Sequence, residues 1–247
     1  MLVERKVALI TGSATGIGRA VALNLDKQGI NIIINYSRSE EDAVMTEKDV
    51  KDLGVECLLY KADVSNDIQI KEMIESTLEK FNRLDYLVNC AGTTDFVDLK
   101  DLDGLREEHW DKVMNVNVKG LFFTCRAVAN ALKETHGSIV NITSVDGITG
   151  IGSSIAYAAS KAAAISATKS LACVLAPEVR VNSVAPGIVL TRWVEGWDDY
   201  KTDAQSTTPL QKLCRPEDVA EVVVGLLNAA SMVTGQTIVV DGGKINK

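Results

Sequence analysis

The sequence predicts a doubly wound α/β fold, in which helices cover both faces of a parallel sheet. Strand-like and helix-like segments alternate along the 247 residues, as expected of repeated strand–helix–strand units. The strand-like segments are almost continuous runs of Val, Ile and Leu, which is typical of strands buried on both faces. No Pro/Gly/Ser-rich linker or repeat divides the chain, so we expect residues 1–247 to form a single domain.

Each predicted element has a local signature. An apolar run that ends at Thr11-Gly12 predicts the first strand, and the helical spacing that follows it stops at Gly29. The last helix begins with Pro216, a residue favoured at the first helical position. The seven predicted strands are 7–10, 31–36, 55–60, 86–88, 138–142, 180–184 and 237–240. The predicted helices are 17–27, 40–53, 68–81, 107–133, 157–175 and 216–227.

The 188–213 segment has the least regular pattern, and it contains Trp193, Trp197 and Tyr200. A long irregular segment in a compact α/β domain is often a lid or a binding loop, so we expect a substrate lid here. Its aromatic rings either anchor the closed lid on the protein or stack on a sugar ring or an aromatic substrate.

Composition argues against several classes of protein. A formal net charge of −7 and the lack of a basic run argue against nucleic-acid binding. No apolar stretch approaches the roughly 20 residues that span a bilayer, so no membrane segment is expected. The N-terminal residues 1–6 run into a strand without the apolar core of a signal peptide, and the five cysteines are widely spaced and odd in number. We therefore expect reduced thiols in a cytoplasmic protein.

Metal chemistry is also disfavoured by the pattern. The chain has two histidines, His109 and His136, and neither belongs to a His-x-x-x-His or Gly-x-Ser-x-Gly pattern. A His-rich zinc site or a Ser-His-Asp triad would have to use one of them. We expect no metal site and expect both histidines at the surface.

Tyr157 and Lys161 lie four residues apart in a predicted helix, and Ser144 lies thirteen residues before Tyr157. Side chains at this spacing share one face of a helix. The pKa of a free Tyr phenol is about 10, and a neighbouring ammonium lowers it by favouring the phenolate. The pair would then act as a general acid/base, while the Ser144 hydroxyl holds the oxygen of a reacting carbonyl. By itself such a pair is more often an ordinary solvent-exposed one, and the catalytic interpretation depends on the motifs below.

A glycine-rich turn follows the first strand. Its spacing is Gly-x-x-x-Gly-x-Gly, which differs from the general Gly-x-Gly-x-x-Gly dinucleotide fingerprint. Glycines at a first strand–helix junction allow a tight turn and a close approach of the backbone to a pyrophosphate, so we favour a Rossmann-type cofactor site over a purely structural turn. The expected contacts in this turn are Gly12, Ser13, Thr15, Gly16, Ile17 and Gly18.

The end of the second strand indicates which nucleotide binds. An acidic residue there would bind the ribose hydroxyls of NAD and repel a 2′-phosphate. The strand instead runs into Ser37 and Arg38, with no carboxylate before Glu40. A guanidinium suits phosphate, so NADP(H) is favoured over NAD(H). Alternatively, Arg38 is a solvated charge that pairs with Glu40 or Glu41.

These motifs, together with others in order along the chain, resemble those of the short-chain dehydrogenase/reductase family. The resemblance covers nearly the whole chain and extends to Asn117, Pro186-Gly187 and Val240–Gly243. Cys90 departs from it, since many members have a second Asn there, and we expect only a change in packing. The residues that carry it are Thr11–Gly18, Ala62–Val64, Asn89–Gly92, Asn115–Gly120, Ser144, Tyr157, Lys161, Pro186, Gly187, Thr191 and Val240–Gly243.

The resemblance implies a role for each matching residue. Tyr157 would be the general acid/base, Lys161 would bind the nicotinamide ribose, and Ser144 would hydrogen-bond the substrate oxygen. Asn117 would hold a water in a proton relay to Lys161. The remaining implied cofactor contacts are Asp63 and Val64 at the adenine, Asn89, Ala91 and Gly92 near the adenosine ribose, and Pro186, Gly187, Ile188 and Thr191 toward the carboxamide.

The implied reaction interconverts a carbonyl and a secondary alcohol by hydride transfer with NAD(P)(H). The chain resembles the 3-oxoacyl-(acyl-carrier-protein) reductases of this family in its overall motif pattern and in residues 35–38 at the end of the second strand. This resemblance favours a 3-oxoacyl compound or another small-molecule ketone as the substrate. Such enzymes dock their acidic carrier with basic residues, but this chain has Thr135 at one of those places and no basic residue in the 173–178 run. The 95–109 segment also looks longer here than in those reductases. A sugar or polyol dehydrogenase is the alternative within the family. A non-catalytic NADP(H) sensor or scaffold is the alternative from another class, although such relatives usually lack the Tyr or the Lys.

Assembly is also implied by the resemblance. In most relatives the helices that correspond to 107–133 and 157–175 pair across a dimer interface, and the last strand forms a second interface. A homotetramer with 222 symmetry is therefore expected, or else a homodimer.

Overall fold

A single parallel sheet forms the centre of the molecule. The computed structural model describes residues 5–245. Its strands are β1 Val7–Thr11, β2 Asn31–Tyr36, β3 Cys57–Lys61, β4 Tyr86–Asn89, β5 Ser138–Ile142, β6 Arg180–Pro186 and β7 Thr237–Val240. They are joined in the order β3-β2-β1-β4-β5-β6-β7, and every pairing is parallel. The predicted doubly wound fold with a seven-stranded sheet is confirmed.

Helices follow the strands. They are α1 Gly16–Asp26, α2 Glu40–Asp52, α3 Asp67–Phe81, α4 Glu107–Met114, α5 Leu121–Thr135, α6 Asp146–Thr149, α7 Ile155–Leu175, α8 Asp198–Thr207 and α9 Pro216–Asn228. A π-helical turn, Asn115–Gly120, joins α4 to α5, and Arg192–Val194 forms a 3₁₀ turn. Across the described residues, no helix is both long enough and apolar enough to cross a membrane.

Both faces of the sheet are buried, which explains the apolar strands. Along β1, Ala8 and Ile10 belong to the core that packs against α1, α2 and α9. Val7 and Leu9 belong to the core on the opposite face, against α3, α5 and α7. All four side chains are at most 1 % exposed. Because successive strand residues point to opposite faces, a strand covered by helices on both sides must be apolar throughout.

The strand order reverses at β1. This strand pairs with β2 on one side and with β4 on the other. The connections that leave β1 and β4 therefore run to opposite faces of the sheet, and they leave a crevice between them at the carboxyl ends of the strands. Such a switch point is where doubly wound sheets bind their ligands.

Several predicted elements need correction. The helix predicted over 107–133 is interrupted by the π-helical turn, where a Cβ on Gly120 would lie 2.8 Å from Val64 Cγ2 and 2.9 Å from Val64 O. The third strand begins at Cys57 rather than at residue 55. The 188–213 segment contains α8, which the sequence analysis did not predict because its residues are mostly polar.

Candidate active site

The glycine-rich turn lies at the switch point and has the geometry of a close backbone approach. Gly12 and Gly16 have φ values of +63° and +57°, a region that residues with a Cβ rarely adopt. A Cβ on Gly18 would lie 2.6 Å from Gly12 O and 2.8 Å from Ser13 Cα. The turn can therefore keep this shape only with glycine at these positions.

The N-terminus of α1 opens from this turn and suits an anion. Its N-cap residue, Thr15, makes no side-chain cap hydrogen bond, and the first turn contains no acidic residue. The first backbone N–H groups of a helix have no partner within the helix, and the helix dipole adds a partial positive charge there. Together these features can hold a pyrophosphate.

A cavity of about 1010 Å³ extends from this turn to the predicted catalytic residues. Most of the predicted cofactor and catalytic residues line its wall. They are Gly12, Thr15, Gly16, Ile17, Ser37, Arg38, Asp63, Val64, Ala91, Gly92, Ser144, Tyr157, Lys161, Pro186, Gly187, Ile188 and Thr191. A cavity of this size exceeds that of an ordinary drug-sized ligand and suits a dinucleotide together with a substrate.

Four predicted residues lie outside that wall. Ser13 is fully buried, and its Oγ donates to Ile10 O at 2.8 Å and accepts from Asn35 N at 3.2 Å. Asn89 is buried as well, and its Nδ2 donates to Asn141 Oδ1 at 2.9 Å. Gly18 packs against the turn as described above. These three residues shape the site without facing the cavity, because their polar atoms or close contacts are directed into the protein.

Asn117, the fourth, sits in the π-helical turn and fixes the surrounding backbone. Its Oδ1 accepts from Thr93 N at 2.9 Å, and its Nδ2 donates to Thr93 O at 2.9 Å and to Ser160 Oγ at 3.0 Å. The Ser160 hydroxyl in turn donates to Tyr157 O at 2.7 Å. A small cavity of about 10 Å³ lies between Asn117 and Lys161, which is about the size of one water.

Ser144, Tyr157 and Lys161 come together on one wall of the large cavity. Ser144 follows β5, and Tyr157 lies in the first turn of α7, where its backbone N donates to the N-cap Ser154 Oγ at 3.2 Å. Lys161 lies one turn later, with Nζ 5.6 Å from the centroid of the Tyr157 ring. Its Nζ donates to Ile142 O at 2.9 Å. All three predicted side chains are buried.

The electrostatics of these groups differ from the expectation that Lys161 lowers the pKa of Tyr157. Burial raises the pKa of the Tyr157 phenol, the Asp146 carboxylate raises it further, and a hydrogen bond with Ser144 lowers it. Burial also lowers the pKa of Lys161 to about 8, although Cys90 and Asp146 partly oppose this change. Desolvation is therefore the largest influence on the pKa of the phenol, which is raised rather than lowered.

The end of β2 forms the other end of the cavity. Ser37 and Arg38 are both exposed there. Glu40, one of the two alternative partners expected for Arg38, instead accepts from Lys61 Nζ at 3.3 Å. Arg192, from the 188–213 segment, donates to Asp42 Oδ2 at 3.0 Å and to Ser39 Oγ at 2.8 Å.

Aromatic residues form the rim near Tyr157. The Trp193 ring meets the Tyr157 ring edge-on, with centroids 6.3 Å apart. The Phe96 and Trp197 rings meet edge-on at 4.9 Å and join the 95–109 and 188–213 segments. Both tryptophans thus pack on residues of this chain, as the anchoring alternative expected. The side chain of Tyr200 lies outside the described residues, as do residues 1–4 of the N-terminal stretch.

Asp146, which the sequence did not single out, and Cys90, the departure from the family pattern, also lie at the site. Asp146 lines the large cavity beside Ser144. Cys90 lines it too, and burial raises the pKa of its thiol to about 11, so the thiol stays protonated near neutral pH. A lone carboxylate after a strand gives no pattern that would have identified Asp146.

Comparisons with known proteins agree with this geometry. A family model described as "Enoyl-(Acyl carrier protein) reductase" matches residues 12–244. The 3-oxoacyl-(acyl-carrier-protein) reductase of Thermotoga maritima is 41% identical over 252 aligned residues, which cover 99% of this chain and 100% of that protein.

Two crystal structures are similar over almost the whole chain. A candidate short-chain dehydrogenase/reductase from Burkholderia xenovorans superposes with a TM-score of 0.94 at 35% identity, covering 98% of this chain and 99% of that one. A 3-oxoacyl-(acyl-carrier protein) reductase from Brucella melitensis gives 0.89 at 33% identity, covering 97% and 91%.

The doubly wound sheet, the glycine turn and the buried Ser, Tyr and Lys side chains together define an NAD(P)-dependent oxidoreductase. The chain belongs to the short-chain dehydrogenase/reductase family.

Proposed function

We propose that this protein reduces a ketone to a secondary alcohol with NADPH, and that 3-oxoacyl compounds or other small-molecule ketones are its substrates. One observation carries the proposal: Ser144, Tyr157 and Lys161 line the same cavity as the glycine turn of α1. The names of the relatives from Thermotoga maritima and Brucella melitensis support the 3-oxoacyl class.

The cavity fits a dinucleotide. The unsatisfied N–H groups of the first turn of α1 suit its pyrophosphate, and Gly92 lines the same cavity. Bound there, the nicotinamide would supply a hydride equivalent to a carbonyl carbon.

The side chains of this protein handle the proton. Tyr157 donates its phenolic proton to the carbonyl oxygen, and Ser144 holds that oxygen by a hydrogen bond. Lys161 stabilises the phenolate that remains and, by resemblance, the ribose hydroxyls. The small cavity between Asn117 and Lys161 has room for one water, which supports a relay that returns a proton to Tyr157.

Ketone reduction is expected to slow as pH rises through about 8. Burial lowers the pKa of Lys161 from 10.5 to about 8, so its ammonium loses its proton over this range and no longer stabilises the phenolate. A profile of kcat/KM for a ketone from about pH 6 to about pH 10 measures this alkaline limb. The affinity for NADPH is measured over the same pH range as a control, so that a change in cofactor binding is distinguished from a change in the proton transfer. A kcat/KM that stays constant with pH would contradict the expectation.

Replacing Arg38 with Ala is expected to weaken NADPH binding by about 10-fold or more and to change NADH binding little, because a guanidinium pairs with the 2′-phosphate that only NADPH carries. The exposed position of Arg38 on the cavity wall, together with the lack of a carboxylate before Glu40, supports this. Dissociation constants for both nucleotides, measured by fluorescence titration, provide the test.

The matched control is Arg106→Ala, since Arg106 is exposed and pairs with Glu108 away from the cavity. It should leave both affinities unchanged. A wild-type enzyme that prefers NADH, or an Arg38→Ala variant that loses both nucleotides equally, would overturn the assignment of NADP(H).

A substrate panel tests the proposed reaction. Absorbance at the nicotinamide band is followed with NADPH and with NADH, using simple ketones, ketosugars, and 3-oxoacyl groups carried either on free thioesters or on an acyl carrier protein. Reduction of at least one ketone supports the proposal, and no turnover with any member would favour a cofactor sensor. Because the 173–178 run at the end of α7 contains no basic residue and Arg126 is already paired with Asp67, we expect free ketones to be reduced without a carrier.

We also propose that the protein is a cytoplasmic homotetramer. Exposed apolar side chains support two interfaces: Phe122 of α5 and Val174 of α7 for one, and Ile238 and Val239 of β7 for the other. Among the described residues the five cysteines are free thiols, which suits the cytoplasm. Light scattering at several concentrations measures the mass, and a monomer throughout would refute the assembly.

A further inference from the structure

Asp146 lies beside the proposed reaction centre and has no role in the proton transfer described above. It is the second residue after Ser144 and the first of α6. Its backbone N donates to Ser144 Oγ at 3.1 Å, and it lines the large cavity. The backbone of Asp146 is therefore tied to the residue that is proposed to hold the substrate oxygen.

The carboxylate is held in place by its surroundings. A Cβ on Gly152 would lie 2.1 Å from Asp146 Oδ2, so the carboxylate packs directly against the Gly152 backbone. Burial raises the pKa of this carboxyl, while hydrogen bonds from the Ser144 side chain and the Ser153 backbone and the charge of Lys161 lower it. A partly buried carboxylate with these partners still has lone pairs to offer, since an ionised carboxylate can accept about four hydrogen bonds.

The surroundings on the substrate side are largely apolar. Val97, Ile151 and Trp193 line the cavity, and the hydroxyls of Thr94 and Ser153, which line it too, are hydrogen-bonded to each other at 2.6 Å. Asp98 also lines it, but Asp98 is exposed and its Oδ1 already accepts from Lys100 N at 2.8 Å. A substrate seated against Ser144 and Tyr157 would thus meet the partly buried carboxylate of Asp146 next to hydrophobic side chains.

We propose that Asp146 selects ketones that carry a hydrogen-bond donor, a hydroxyl or an ammonium, close to the reacting carbonyl. An alkyl group in that position would cover the carboxylate without pairing it, and an unpaired buried acceptor is costly. A site built around a donor on the substrate rejects analogues that lack it far more strongly than an apolar pocket distinguishes chain lengths. This inference rests on the proposed ketone reduction, and it favours hydroxyketones, including sugars, over unsubstituted 3-oxoacyl chains.

The test compares three ketones that differ only at the carbon beside the carbonyl, which carries a hydroxyl, an ammonium or a methyl group. For the wild type, kcat/KM is expected to be at least about 30-fold higher for the hydroxyl or the ammonium compound than for the methyl compound. Asp146→Val should reduce that ratio to below about 3 while the methyl compound is still reduced.

Asp146→Asn separates the two kinds of donor. The neutral amide oxygen still accepts from a hydroxyl, so a hydroxyl preference should partly survive, whereas an ammonium preference should fall by about 10-fold or more. Asp111→Val is the matched control, because Asp111 is an exposed carboxylate of α4 that does not line the cavity. It should keep the ratios of the wild type.

The outcomes distinguish the inference from the proposed function. If the wild type reduces none of the ketones, the proposed function fails. If it reduces them without a preference for the donor, or if Asp146→Val keeps that preference, the proposed function stands and the role of Asp146 is refuted. Should Asp146→Val fail to fold, an Asn variant with unchanged ratios for both donors refutes the role equally.

Discussion

Replacing Tyr157 with Phe is expected to lower kcat for ketone reduction by about 100- to 10,000-fold, the usual contribution of a positioned general acid. The substitution removes only the phenolic hydroxyl, so the ring keeps its edge-on contact with Trp193 at 6.3 Å. NADPH binding should change by less than about threefold, because the glycine turn and the end of β2 are untouched. Steady-state kinetics and fluorescence titration measure the two effects.

Tyr60→Phe is the control for that substitution. Tyr60 lies on β3, where it packs on the opposite side of the sheet from the α1 face and does not line the cavity. Full activity is expected in this variant. Residual kcat above about a tenth in Tyr157→Phe would show that another group supplies the proton.

Replacing Gly18 with Ala is expected to destabilise the protein by about 1–3 kcal/mol and to weaken NADPH binding by about 10-fold or more. Ala normally favours a helix over Gly. Here the new Cβ would lie 2.6 Å from Gly12 O and 2.8 Å from Ser13 Cα, both of which are backbone atoms. The turn must shift to accept it, and the N–H groups of α1 shift with it. Urea unfolding measures stability, and titration measures affinity.

Gly225→Ala supplies the matched control in α9, the helix that packs against α1. A Cβ on Gly225 would meet nothing within 4 Å, so this variant should gain about 0.5–1 kcal/mol of stability and bind NADPH normally. A loss of stability in Gly18→Ala and a gain in Gly225→Ala would show that the effect at Gly18 is steric, because helix propensity alone would stabilise both variants. Equal stabilisation of the two variants would mean that the turn is more adaptable than its contacts indicate.

The parts of the fold and site that could be predicted are those encoded locally. The strands are rich in Val, Ile and Leu, so the sequence alone indicated all seven, including β7, which is only partly buried. Tyr157 and Lys161 are one helical turn apart, and the glycine turn directly follows β1, so their spacing along the chain determines their spacing in the structure.

The remaining features depend on contacts between distant segments. Asn117 lies in the π-helical turn and bonds the backbone of Thr93, twenty-four residues earlier. The setting of Asp146 depends on Gly152 on the far side of α6 and on Lys161 in α7. The pKa of Tyr157 depends on how completely the folded protein excludes water from its side chain, and the local sequence does not show this.

The bridge from Arg192 to Asp42 and Ser39 ties the rim segment to the nucleotide end of the proposed site. Its guanidinium joins the 188–213 segment to the start of α2, next to Ser37 and Arg38. The same rim segment therefore borders both ends of the cavity, because Trp193, the next residue, meets the Tyr157 ring. Exposed ion pairs contribute up to about 1 kcal/mol, or about fivefold in an equilibrium. Added salt is therefore expected to loosen the attachment of this segment at the β2 end of the cavity, while the apolar contact of Trp193 with Tyr157 is kept.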